Sequence, residues 1–218
     1  MAEIVGVALR SSKNLPSTLA ILNPWGGFLE LRTFTENGQL LQEVQRGKPE
    51  LIAIGSPLCL PLGLDCLESL CSCRFEFPGR KGRVAELQLA SVRISYFFTN
   101  KGSIVTPLIY RGIELYARLR ELGYNVIEVY PHATKLIVFG DSVPRKEVAL
   151  PFLREQLPAL ILGLKSYPGK LNQGACDALM NAYTGVLHLK RQTLSLGDPE
   201  EGLIMVPRDG KNPMVTVR

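Results

Sequence analysis

The chain has 218 residues, 46% of them hydrophobic and 21% charged, and Lys plus Arg outnumber Asp plus Glu by five. This is the composition of a globular protein with enough length to bury a sizeable core, and it excludes a chain too polar to fold. No apolar run reaches the ~20 residues that a bilayer-spanning helix needs, and Met1-Ala2-Glu3-Ile4-Val5 lacks the basic and apolar regions of a secretory leader. The expectation is therefore a cytoplasmic protein without a membrane partner.

In chain order, Ile4 to Leu9 and Leu19 to Leu22 read as short apolar strands. Asn23-Pro24-Trp25-Gly26-Gly27 supplies a turn, and Phe28 to Phe34 alternates as a third strand, which makes an antiparallel meander. Leu40 to Gln45 predicts a short helix stopped by Gly47-Lys48-Pro49, and Leu51 to Gly55 a buried strand of the parallel kind. From Ser56 to Arg83 no periodicity is sustained. Pro57, Pro61, Gly63, Pro78, Gly79 and Gly82 interrupt it, and a loop this long is functional or mobile.

Helical spacing returns at Val84 to Ser91 and again from about Pro107 to Leu122, where Leu108, Ile109, Ile113, Tyr116 and Leu119 share a face. Val126-Ile127-Glu128-Val129-Tyr130 then reads as an interior strand ended by Pro131. Val148 to Leu164 predicts a helix limited by Pro151 and Pro158, Asp177 to Leu189 a regular one, and Gly202 to Val206 a last strand. A meander followed by strands alternating with helices predicts an α/β fold with a mixed sheet, RNase H-like in order, with a doubly wound fold as the competitor. The whole of 1–218 reads as one domain, with 56–83 as an irregular, Cys-containing loop or insertion.

Glu128 is the most informative residue. A carboxylate inside an apolar strand is costly unless it is paired, hydrogen-bonded or bound to a cation. It is either a strand-end metal ligand or a buried acid with a basic partner. Two-metal phosphodiester hydrolysis needs several carboxylates around Mg²⁺ or Mn²⁺, and the candidates are Glu128, Asp177 and Glu86. Asp177 has a competing role as a first-turn acid favoured by the helix dipole.

Cys66, Cys71 and Cys73 are spaced closely enough to hold Zn²⁺, with Cys59 as a possible fourth ligand; free thiols, a redox pair or a disulfide are the alternatives. His132 and His188 are the only histidines, and no Gly-rich phosphate or dinucleotide loop is present. Basic residues concentrate in the middle of the chain, among them Arg83, Arg93, Lys101 and Arg111. They suit either a solvated face or a phosphate-contacting surface that His132 could join.

Several blocks together resemble a known family. They are Arg83-Val-Ala-Glu86-Leu, Tyr96-Phe-Phe-Thr-Asn-Lys101, Tyr110-Arg111-Gly112-Ile113, Gly123-Tyr-Asn-Val-Ile-Glu128-Val-Tyr-Pro131-His132-Ala133, Asp177-Ala-Leu-Met-Asn-Ala182 and Gly197-Asp-Pro-Glu-Glu-Gly202. The chain is similar in these to the RNase H-like nuclease family catalogued as a domain of unknown function. The resemblance implies an RNase H-like fold and an inferred divalent-metal nuclease activity, with Glu128, Asp177 and Glu86 matching acids of the family.

The match is incomplete where the family carries acids on its first strand, on the strand ending at Gly55 and at the last helix. Here those positions are Ala8, Gly55 and Gly174. Ala85 likewise stands where the family has a Cys. Fewer acids mean less negative charge to hold two cations. Three functions follow as expectations: a nucleic-acid-binding protein with lost or weak nuclease activity, an active metal-dependent nuclease acting through Glu128 and Asp177, or a metal/thiol scaffold built on Cys66 to Cys73.

Overall fold

The computed structural model describes residues 3–12, 14–74, 76, 79–145 and 148–208, so Pro78, one of the expected loop breakers, lies outside it. β1 (Ile4–Ala8), β2 (Ser17–Leu22) and β3 (Phe28–Phe34) form the antiparallel meander. α1 (Asn37–Gly47) leads to β4 (Leu51–Ile54), which lies parallel to β1. After the irregular segment come α2 (Val84–Ser91) and α3 (Thr106–Glu121), then β5 (Val126–Val129), α4 (Pro131–Phe139), α5 (Ala149–Leu160) and α6 (Gln173–Leu189). β6 (Thr193–Asp198) and β7 (Gly202–Pro207) close the chain as a hairpin.

The sheet order is β3-β2-β1-β4-β5-β7-β6, with β1, β4, β5 and β7 parallel. Interior strands here are apolar on both faces, because both faces are covered. The period-two pleat sorts them. Val5 and Val7 of β1 and Ile52 and Ile54 of β4 pack with Leu40 and Val44 of α1 and Leu115 and Leu119 of α3. Ile4 and Ala8 pack on the other face with α5 and α6. Gly6 lets α6 touch the sheet: a Cβ there would stand 2.2 Å from both the Ala178 carbonyl oxygen and the Ala182 amide nitrogen.

The expected elements form, although the helix expected to reach Leu164 ends at Leu160, and three further differences stand out. Pro131 ends β5 but also opens α4, because a proline suits the first turn of a helix, where its missing N–H is not needed. His132 therefore lies on a helix rather than in a loop. β6 was not among the expected strands; its short alternation, Thr193-Leu194-Ser195-Leu196, becomes a strand by antiparallel pairing with β7. α6 begins at Gln173, capped by Asn172, whose side chain accepts from the Ala175 amide at 2.9 Å. Asp177 thus sits beyond the first turn, where the helix dipole helps it less.

Candidate functional site

The acids singled out from the sequence divide between two places. Glu128 shares its side of β5 with Val126, which packs in the α1 and α3 cluster, whereas Ile127 and Val129 face the end of α6. Asp177 is carried by α6. The two carboxylates therefore lie on opposite faces of the sheet, and one metal cluster shared by Glu128 and Asp177 is corrected by the pleat.

Glu128 has its basic partner. Arg83 donates from both terminal nitrogens to it, Nη1 to Oε2 at 2.8 Å and Nη2 to Oε1 at 2.5 Å. The Leu58 amide donates to Oε2 at 2.9 Å. Arg83 Nε donates to Glu86 Oε1 at 2.9 Å, and Glu86 also accepts from the Thr99 amide and hydroxyl at 2.7 and 2.5 Å. Arg83 and Glu86 are fully buried and Glu128 is 3% exposed.

Burial works against the Arg83 charge, but Glu128 above all, and Glu86, hold the guanidinium well above its ordinary pKa. Gly82 makes room for this arrangement in the left-handed region at φ +74°, since a Cβ there would meet Glu86 Oε2 at 2.2 Å. A third buried acid, Glu201 in the β6–β7 turn, accepts from the Leu62 and Val84 amides, each at 2.9 Å, and from Arg80. These carboxylates bind backbone amides of 56–83 and so fasten the irregular segment to β5 and to the last hairpin.

The basic residues expected to meet a nucleic acid behave differently from one another. Arg83 as a nucleic-acid contact is corrected: a guanidinium with no exposed surface and two carboxylate partners has no face for a phosphate. Arg111 donates to the carbonyl oxygens of Arg10 and Thr35 at 2.6 and 2.7 Å and to Asn37 at 2.9 Å, which ties the end of β1 to the start of α1. Arg93 is exposed, in the left-handed region at φ 62°. Lys101 bonds the Cys71 carbonyl oxygen. His132 packs edge-on against Tyr130 with ring centroids 5.7 Å apart, and burial followed by the Lys135 charge lowers its pKa.

The ends of β1 and β4 meet the first half of α6 on the face away from Glu128. Here stand Ala8, Gly55 and Gly174, together with Asp177 and Asn181. A Cβ on Gly55 would lie 2.5 Å from Asn181 Nδ2, which itself donates to the Val7 carbonyl at 2.8 Å. Asn181 has thus closed over the space that a longer side chain at position 55 would need. Asp177 accepts from Gln173 Nε2 at 2.7 Å. Burial raises its pKa to about 6, against the opposing charges of Arg10 and Lys135.

One carboxylate flanked by two cationic side chains does not fit a pair of divalent ions, which need several hard anionic oxygens. Arg10, Lys135, Asn181 and Glu201 were not candidates from the sequence. The start of α4 at Pro131 would have placed Lys135 one turn from Pro131, on the helix that packs against α6.

The cysteines separate. Cys66, Cys71 and Cys73 have sulfurs all within 4.8 Å of one another, and Cys59 is not among them. Cys59 instead sits beside Gly202, and burial, then the Glu128 charge, raises its thiol pKa. Despite burial, hydrogen bonds from Cys71, the backbone at Asp65 and Cys66, and Lys101 bring the Cys73 thiol down to about 6.

Among the described residues no helix is long and apolar enough to cross a membrane. No family model and no curated protein matches this chain. Among solved structures, RuvC of Thermus thermophilus superposes with a TM-score of 0.51 at 13% identity, over 87% of this chain and 96% of that one. The mixed sheet order, the covering helices and this superposition together make the fold α/β and RNase H-like.

Proposed function

We propose that this chain is an RNase H-like nucleic-acid-binding protein that does not hydrolyse its ligand. The observation that carries the reading is the reversed charge at the ends of β1 and β4. The positions from which the resemblance expects acids are Ala8, Gly55 and Gly174, and the remaining Asp177 is outnumbered by Arg10 and Lys135. Such a site repels Mg²⁺ and attracts a phosphate. On this reading residues 1–218 act as one unit, and the ion pairs around Arg83 are architectural, holding the 56–83 insertion in place. Arg93, and His132 beside Lys135, would extend the contact along the backbone of the nucleic acid.

Fluorescence anisotropy with single-stranded, duplex and hybrid oligonucleotides tests this, using wild type and the double variant Arg10→Glu/Lys135→Glu. Wild type should bind with an affinity that falls steeply between roughly 50 and 200 mM salt, and the variant should lose at least about tenfold at low salt. The same oligonucleotides should survive incubation with Mn²⁺. Cleavage that requires Mn²⁺ and disappears in Asp177→Asn overturns the proposal, as does the absence of salt-dependent binding.

A further inference from the structure

We propose that Cys66, Cys71 and Cys73 form a three-thiolate site for Zn²⁺ with its fourth position open to solvent. A tetrahedral ion with Zn–S bonds of about 2.3 Å sets its sulfurs about 3.8 Å apart. Cys66 and Cys73 sulfurs are 3.8 Å apart and those of Cys71 and Cys73 3.3 Å, with all three inside 4.8 Å. Closing round an ion needs only tenths of an ångström along these two edges. The cysteines are free thiols, so no disulfide occupies the sulfurs.

The loop that carries them is anchored. The Leu67 amide donates to the Tyr110 hydroxyl of α3 at 2.7 Å, the Gly102 amide donates to the Leu67 carbonyl at 3.1 Å, and Leu67 packs against Ile109. A turn closed by the Cys71 amide on the Glu68 carbonyl, at 3.2 Å, brings Cys71 back over Cys66. Cys66 is thus set beside a fixed residue, and the other two sulfurs return to it.

The ligand set selects the ion. Three sulfurs without a carboxylate or imidazole in the group suit a soft or borderline cation and not Mg²⁺ or Ca²⁺. Three thiolates around Zn²⁺ carry one net negative charge. Lys101, bonded to the Cys71 carbonyl oxygen, supplies the compensating ammonium. Cys71 is exposed, which leaves the fourth position to water. An open position of this kind also admits an incoming thiol or imidazole.

The site lies on the 56–83 insertion and does not depend on the reading of the β1 and β4 ends. Its test is direct metal binding by the full-length protein under a phosphine reductant. Co²⁺ is titrated as a spectroscopic probe, and Zn²⁺ is measured by competition with a chromophoric chelator. Wild type should take up one Co²⁺ per chain with thiolate-to-metal charge-transfer absorption, and Zn²⁺ should displace it. Cys71→Ser, an exposed change, and Cys73→Ser should bind at least about tenfold more weakly. Cys59→Ser and Cys176→Ser should match wild type. Absence of the charge-transfer band in fully reduced wild type overturns the proposal, and so does an equal loss in Cys59→Ser.

Discussion

Replacing Arg83 with Met keeps much of its volume and removes its charge. In wild type one guanidinium faces two buried carboxylates, Glu86 and Glu128, through bonds of 2.5 to 2.9 Å. The variant would leave two buried negative charges with no cation between them. Removing one member of a buried pair costs about 3–5 kcal/mol, because the abandoned charge stays desolvated. Glu128→Gln is the milder change. It leaves Arg83 matched to Glu86, and the amide oxygen can still accept from the Leu58 amide, so about 1–3 kcal/mol is expected.

Urea unfolding at pH 7.5 reads both variants. A loss below about 1 kcal/mol for Arg83→Met, or a greater loss for Glu128→Gln than for Arg83→Met, would refute the charge accounting.

Three other outcomes follow from the α6 face. Gly6→Ala puts a methyl against two backbone atoms that cannot move independently, so it should cost at least about 3 kcal/mol, seen as a fall in Tm of roughly 6–12 °C. Gly55→Ala should cost about 1–3 kcal/mol alone and much less in an Asn181→Ala background; additive losses in this double-mutant cycle would show that Asn181 does not fill the space. Asp177 has a folded pKa near 6 against an ordinary 3.8, so it binds its proton more tightly in the folded state and destabilises the fold as pH rises from about 4 to 6. Asp177→Asn should accordingly gain about 1–2 kcal/mol at pH 8, after discounting for its partial exposure, and nothing near pH 4. A pH-independent difference would contradict the burial that raises this pKa.

The parallel and antiparallel strands of the sheet's first half were legible because their apolar runs are short, uninterrupted and bounded by Gly, Pro and Asn. The need of Glu128 for a partner was equally legible, since a buried carboxylate always requires one. The identity of that partner was not, because Arg83 lies 45 positions away across an aperiodic segment and only the folded chain brings them together. That positions 8, 55 and 174 carry Ala, Gly and Gly rather than carboxylates is plain along the chain. That Asn181 closes the space, and that Arg10 and Lys135 reverse the charge, depends on how α6 and α4 cross the sheet. Most of all, sequence order cannot say which face of the sheet a helix will cover. The two-residue pleat, set by the register of β4 against β5, placed Glu128 on one face, and the Gly6 contact put Asp177 on the other.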